Sequence, residues 1–195
     1  MDAINKAIWQ KFHVKHGDIP PFTGFHGTRD DLAVLFAELG YVKGAEIGVQ
    51  RGAYSIKLVN ANPDLHLLLV DSWAPFTHHN QEWQDQQLAR ARTRLEGKNV
   101  TFIRKTSMEA VKDVEDKSLD FVYIDAMHDF DNCMLDIIYW APKVRRDGIV
   151  AGHDYFRAYT CGVVQAVDAY TRAHNISMYY LTPQDASHTW FWRQI

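Results

Sequence analysis

Gly44-Ala-Glu-Ile-Gly-Val-Gln-Arg-Gly52 runs from a short apolar segment straight into a turn holding Gly48 and Gly52. Farther along, a second apolar run, residues 65–70, ends on Asp71. Glycine lets a turn at the carboxyl end of a strand bring its backbone close to a ligand. An acid ending the next strand can accept hydrogen bonds from two ribose hydroxyls. Each half also has an ordinary reading, because glycine serves turns freely and aspartate is a favoured cap. Together, at consecutive strand ends, they predict a nucleoside cofactor.

Outward from this stretch, strand and helix signals alternate. Upstream, Thr28 with Asp31 three residues on marks a helix start, and Leu32, Leu35, Phe36 and Leu39 share one face until Gly40 stops the helix. Downstream the pattern predicts a charged helix over 82–95, a strand over 99–104, a short helix over 108–114 and a strand over 120–124. A helix follows with Phe130, Met134, Ile137, Ile138 and Ala141 on one stripe. Gly148 then introduces a strand ending at His153-Asp154, and Val163, Val164, Val167 and Tyr170 mark another helix. The closing runs, 176–181 and 189–193, are joined by Pro-Gln-Asp-Ala-Ser, too short for the crossover that a parallel return needs, so they form a hairpin. The fold class is α/β: a mostly parallel, doubly wound sheet covered by helices on both faces and ending in an antiparallel hairpin. Residues 1–27 read as a short helix and an extended lead-in that covers part of the site or an interface.

A chain of 195 residues with 47% apolar content is the size of one domain, so residues 1–195 are expected to form a single unit. The formal charge of −3 lacks the basic excess of a protein that grips nucleic-acid backbone, and nucleic acid is not an expected partner. Cys133 and Cys161 are the two cysteines and have no C-x-x-C spacing, so neither a disulfide framework nor a cysteine zinc site is supported, and a reducing cytoplasm fits. The first ten residues carry Asp2 and Lys6 and lack a long apolar core. They read as neither signal peptide nor membrane span, so a soluble, cytoplasmic protein without a membrane partner is expected.

From residue 28 to 195 the chain resembles the class I S-adenosylmethionine-dependent methyltransferases. In that family the first strand ends in an acid and a glycine turn, matched by Glu46-x-Gly48-x-x-x-Gly52, and the second in a ribose-binding acid, matched by Asp71. Phe121-Val-Tyr-Ile-Asp-Ala-Met-His128, Trp140-Ala-Pro-Lys-Val-Arg-Arg-Asp-Gly148 and Gly152-His-Asp-Tyr155 are similar to the small O-methyltransferase branch related to the catechol and macrolide-sugar enzymes. The resemblance implies a Rossmann-like seven-stranded sheet in the order 3-2-1-4-5-7-6 with strand 7 antiparallel. It also implies S-adenosyl-L-methionine as cofactor and a small-molecule methyl acceptor. Many members of the branch use Mg²⁺ or another divalent cation. Two positions depart from it: Asp147-Gly148 stands where Gly-Gly is common, and Tyr155 stands where the catechol enzymes have an asparagine metal ligand. Oligomeric state is open, with a homo-oligomer among the arrangements allowed.

On this basis Gly48 and Gly52 approach the methionine part of the cofactor, and Glu46 accepts from backbone or from the cofactor's amino group. Asp71 holds the ribose or, alternatively, caps a loop. Trp73 stacks on the adenine or closes the core. Ser107 and Met108, with Glu109, line the adenine pocket, the other reading of Ser107 being a helix cap. Asp125 also belongs to the cofactor side. If the strands have the family order, Asp125 and Asp154 leave neighbouring strands about 4.8 Å apart and can share a Mg²⁺, Mn²⁺ or Ca²⁺ ion. Without an ion, one acid becomes a cap and the other pairs with a lysine or arginine. His128 is the first candidate for general base or additional ligand and His153 the second, each with a local hydrogen bond as its alternative. The segments 73–83 and 156–159 form an aromatic wall for the acceptor, while His78-His79 and 90–94 are surface features. A nicotinamide or nucleotide-sugar enzyme is disfavoured because the turn lacks Gly-x-Gly-x-x-Gly. A non-catalytic protein that binds the cofactor stays open.

Overall fold

Residue 48 sits at the carboxyl edge of a seven-stranded sheet in the order β3-β2-β1-β4-β5-β7-β6, the order the resemblance implies. The structure is a computed structural model that describes residues 2–15, 18, 21–22, 27–158, 160–176, 179–182, 184 and 187–195. β1 (Lys43–Ile47) pairs in parallel with β2 (His66–Asp71) on one side and β4 (Leu119–Ile124) on the other. β3 (Val100–Arg104) extends the β2 side and β5 (Val144–Gly152) the β4 side, both parallel. β7 (Thr189–Arg193) is antiparallel to β5 and to β6 (Tyr179–Thr182). The five parallel strands therefore deliver all their carboxyl ends to one edge, where α/β sheets bind ligands.

Every residue of β4 is buried, as expected of a central parallel strand covered on both faces. Phe121 and Tyr123 enter one core with α1 (Ala3–Lys11), α2 (Arg29–Glu38), α3 (Ser55–Ala61) and α4 (Gln81–Arg94). Val122 and Ile124 enter the other with α5 (Ser107–Ala110), α6 (Phe130–Trp140) and α7 (Val163–Ala173). Each large side chain so buried contributes roughly 1.5–3 kcal/mol over leaving it in water. The helix start expected at Thr28 is a full capping box with Asp31, which sets where α2 begins.

Several elements differ from expectation. α3 is absent from the periodic pattern: it has seven residues and no side-chain cap, and it forms because Leu58 and Val59 are buried against the sheet. On α6 the inward line is Cys133, Ile137 and Trp140, whereas Phe130 and Ile138 are 42% and 43% exposed. Ile138 follows Ile137 by one residue and is turned about 100° from it, which takes it off the packed face. The short helix expected over 108–114 is a single α-turn, α5, followed by a 3-10 turn at Val111–Asp113. β5 begins at Val144, ahead of Gly148, and its register against β4 shifts between Leu119 and Phe121.

The described part of the lead-in closes the β6 edge. Phe22 bridges Tyr180 in parallel, its carbonyl accepts from Leu181 N at 3.0 Å, and Trp9 Nε1 donates to the Tyr180 hydroxyl at 3.2 Å. The Phe12 ring lies 5.3 Å from that of Phe191. These contacts cover an otherwise open strand; residues 16–17, 19–20 and 23–26 of the lead-in lie outside the described residues. Among the described residues no helix is long and apolar enough to cross a membrane. Cys133 and Cys161 are buried free thiols, and most of the 183–187 hairpin loop lies outside the described residues.

Candidate functional site

Gly48 has φ +90, and its N–H donates to the Val70 carbonyl at 2.8 Å. A Cβ there would run into the carbonyl oxygen of Asp125, so the ends of β1, β2 and β4 close on one another only because residue 48 has no side chain. Gly52 closes the turn, donating to Val49 O at 2.8 Å with φ +68. Asp71 fastens this turn from the neighbouring strand. Its Oδ2 accepts from Val49 N at 3.0 Å and Gln50 N at 2.8 Å, and its Oδ1 accepts from Trp73 N at 2.8 Å. The capping alternative is thus realised, and a carboxylate with about four acceptor sites keeps capacity for a ligand hydroxyl.

Glu46 lies beneath the turn, 2% exposed, and accepts from Ser55 Oγ. Burial pushes its carboxyl up to about 8; the Ser55 bond opposes the shift and the charge of Asp125 adds to it. Trp73 takes the core-closing alternative, a correction to adenine stacking. It is 0% exposed and packs in the first core, and its Nε1 donates to Gln50 O at 2.8 Å, so the ring offers no free face. Ser107 is likewise turned inward. Its hydroxyl donates to Asp136 and accepts from Trp140 Nε1 at 2.7 Å, and the helix cap is Thr106, paired with Glu109. Met108 packs half-buried on the second core.

Across the edge, Asp125 follows β4, His128 comes three residues later and Asp154 follows β5. His128 Nε2 stands 2.9 Å from Asp154 Oδ2 and 3.5 Å from Asp125 Oδ1, and the ligand atoms of all three residues lie within 4.8 Å of one another. Hydrogen bonds to Asp125 and then Asp154 push the imidazole up to about 10, against the lowering effect of burial. Burial acts to raise Asp154, but hydrogen bonds and charge from His128 and His153 hold it well below the usual carboxylate range. His153 stands behind the cluster, with Nδ1 3.4 Å from Asp154 Oδ1. Two carboxylates and one imidazole form a donor set that suits a divalent cation such as Mn²⁺ or Mg²⁺. Tyr155 is not part of it, because its hydroxyl donates to Asp168 at 2.6 Å. A groove of about 330 Å³ lined by Asp129, Phe130, Thr160, Cys161 and Gln165 adjoins the cluster, where Gly162 N donates to His128 O at 2.7 Å.

Of the expected aromatic wall, Phe76 and Phe156 are exposed, His79 stacks on Trp83 with centroids 3.7 Å apart, and Tyr159 lies outside the described residues. Arg29 is the site residue that sequence patterns do not reveal. Its Nη1 is 3.7 Å from Asp125 Oδ2 and its guanidinium lies over the Tyr54 ring at 5.1 Å. The available signal was topological: a helix that feeds a strand through a short loop starts at the edge where that strand ends.

A family described as a methyltransferase domain matches residues 45–155, a span holding the turn, Asp71 and the Asp125–His128–Asp154 cluster. The uncharacterized protein y4gI of Sinorhizobium fredii (strain NBRC 101917 / NGR234) is 36% identical over 53 residues, 27% of this chain, and the match spans only 6% of that protein's length. Among solved structures, the O-methyltransferase from Bacillus cereus in complex with SAH superposes with a TM-score of 0.63 at 14% identity, covering 98% of this chain and 90% of that one. The O-methyltransferase TomG from Streptomyces achromogenes, involved in tomaymycin synthesis and solved with SAM, gives 0.61 at 17% identity, covering 98% and 88%. Cofactor-bound Rv0187 from MTB gives 0.60 at 15% identity, covering 100% and 90%. At these identities the likeness is one of fold.

Proposed function

We infer that this chain, which belongs to the methyltransferase domain family, moves a methyl group from S-adenosylmethionine to an oxygen of a small molecule. The observation that carries the reading is the placement of Asp125, His128 and Asp154, within 4.8 Å of one another, directly against a turn that only glycine can make. Solved proteins of this fold bound to SAM or SAH support the choice of cofactor. When bound, the cofactor supplies an electrophilic methyl carbon on a sulfonium.

The chain's own residues do the rest. Gly48 and Gly52 let backbone approach the ligand, and Asp71 accepts from the ribose hydroxyls while holding the turn closed. Asp71, Asp125 and Asp154 give the edge a negative field suited to a sulfonium. His128 Nε2 takes the acceptor's proton once it has shed its own, which Asp125 and Asp154 hold on it up to about pH 10, and His153 holds Asp154 in place. A divalent cation held by Asp125, His128 and Asp154 would lower the pKa of the acceptor hydroxyl. The net charge of −3 and the small groove beside His128 favour a small acceptor over nucleic acid.

Calorimetry with S-adenosylhomocysteine tests the reading. Binding is expected, and its absence with and without Mg²⁺ would overturn it. On an acceptor found by screening, chelation is expected to reduce turnover, and chelator-resistant turnover would assign the proton step to His128 without an ion.

A further inference from the structure

We propose that the outward stripe of α6, formed by Leu135, Ile138 and Tyr139, is the centre of a two-fold interface between two copies of this chain. This face belongs to the helical layer over the second core and takes no part in the cofactor reading above.

Eight of the eleven residues of α6 are apolar, more than its inward face uses. Cys133, Ile137 and Trp140 fill the second core, and α5 and α7 pack against the helix within its own layer. Leu135, Ile138 and Tyr139 are left outside, 39%, 43% and 50% exposed. Their spacing of three and four residues joins them into one stripe. Single exposed apolar side chains are ordinary, but a stripe on a helix that is already apolar on its inward side is the pattern of a helix covered on both.

The charges at its two ends indicate what covers it. Asp131 is exposed in the first turn of α6, and its carboxylate has no partner among the described residues. At the other end Pro142 O accepts from Lys117 N at 3.0 Å, which brings the exposed Lys117 to the helix terminus, its ammonium likewise without a partner among the described residues. Lys143 stands beside it but is held by Asp116 at 2.8 Å. The stripe is thus apolar in the middle, acidic at one end and basic at the other, so it fits itself when turned round. A second copy laid antiparallel sets Leu135 against Tyr139 of that copy and Ile138 close to its own image. The same register carries each Asp131 to the other copy's Lys117, an oppositely charged pair that symmetry makes twice. A parallel arrangement would bring like charges together and align the two helix dipoles. An apolar centre with a charged rim is also the usual anatomy of an interface between proteins.

Sedimentation velocity on the full chain at micromolar concentration is expected to show two copies together, separating on dilution. Ile138→Glu puts two carboxylates at the axis and is expected to raise the dissociation constant at least about a hundredfold. Circular dichroism and thermal melting should stay unchanged, because the residue is exposed. If that variant does not fold, Tyr139→Lys serves in its place. Val34→Glu on α2, exposed over the sheet's other face, should leave the copies together. Asp131→Lys and Lys117→Asp are each expected to weaken association about tenfold, and the two in one chain to restore it within about twofold. The two residues stand at opposite ends of one helix, so recovery can come only from a pair made between copies. A single copy at every concentration would overturn the proposal and leave the stripe to a foreign partner. Association that survives both Ile138→Glu and Tyr139→Lys would also overturn it, as would association lost equally in Val34→Glu or a double variant no stronger than the single ones.

Discussion

The imidazole of His128 lies 2.9 Å from the carboxylate of Asp154, and the two residues join α6's approach to β5's exit across the carboxyl edge of the sheet. With Asp125 3.5 Å away on the other side, the imidazolium stands where a shared cation would otherwise stand. Proton and metal therefore compete for one position.

The competition has a sign. The proton on His128 is held up to about pH 10, so an entering ion must displace it, and displacement becomes easier as pH rises. Mn²⁺ titrated into the protein is expected to release close to one proton per ion, with affinity rising about tenfold per pH unit across the neutral range. His128→Gln should flatten that slope. A slope already flat in the unmodified protein would remove the imidazole from the ligand set.

Gly48→Ala is expected to be among the most damaging single changes in the chain. The left-handed backbone at φ +90 costs an alanine about 1–2 kcal/mol, and the added Cβ meets Asp125's carbonyl, which cannot rotate away. A total loss above about 3 kcal/mol is expected in urea unfolding, together with loss of S-adenosylhomocysteine binding. A change within about 0.5 kcal/mol would show that the turn relaxes without cost and is not the close approach described.

Asp71→Asn tests two duties of one carboxylate. The amide loses charge and puts a donor where Val49 and Gln50 N–H already donate, so stability should fall by about 2 kcal/mol. If the carboxylate also holds the ribose, affinity for S-adenosylhomocysteine falls at least about tenfold in protein that is still folded. Full affinity in the folded variant would leave Asp71 a loop cap alone.

How much of this was legible beforehand depends on whether the signal was local. β4 was visible because Leu-Asp-Phe-Val-Tyr-Ile carries its burial in its composition, and the terminal hairpin because its loop is too short for a crossover. Asp71, Asp125 and Asp154 could be found because each ends a strand, and strand ends share an edge. Trp73 could not be resolved, since whether an indole faces a ligand or the core depends on a partner, here Gln50 O, that no spacing encodes. Ser107 failed similarly: the capping pattern begins one residue earlier, at Thr106, which turns the serine toward α6. Arg29 reaches Asp125 across 96 residues and becomes visible only once α2 is packed.

Glu46 predicts an unusual dependence of stability on pH. In the folded state it keeps its proton up to about pH 8, whereas the unfolded chain loses it near 4.5, so between those values the native state binds more protons and stability declines as pH rises. Below 4.5 the group is neutral in both states and contributes no slope; above 8 the fold carries a buried carboxylate. Glu46→Gln mimics the neutral form. It is expected to remove the decline and to be the more stable protein above pH 8, by up to about 5 kcal/mol. Ligand binding should run the other way: an ammonium brought beside Glu46 favours its ionised form, so S-adenosylhomocysteine binding at pH 7 should release a proton from the unmodified protein that Glu46→Gln does not release. Calorimetry in buffers of different ionisation enthalpy measures that difference. Equal proton release by both proteins would mean that Glu46 supports the turn through Ser55 and does not meet the cofactor's amino group.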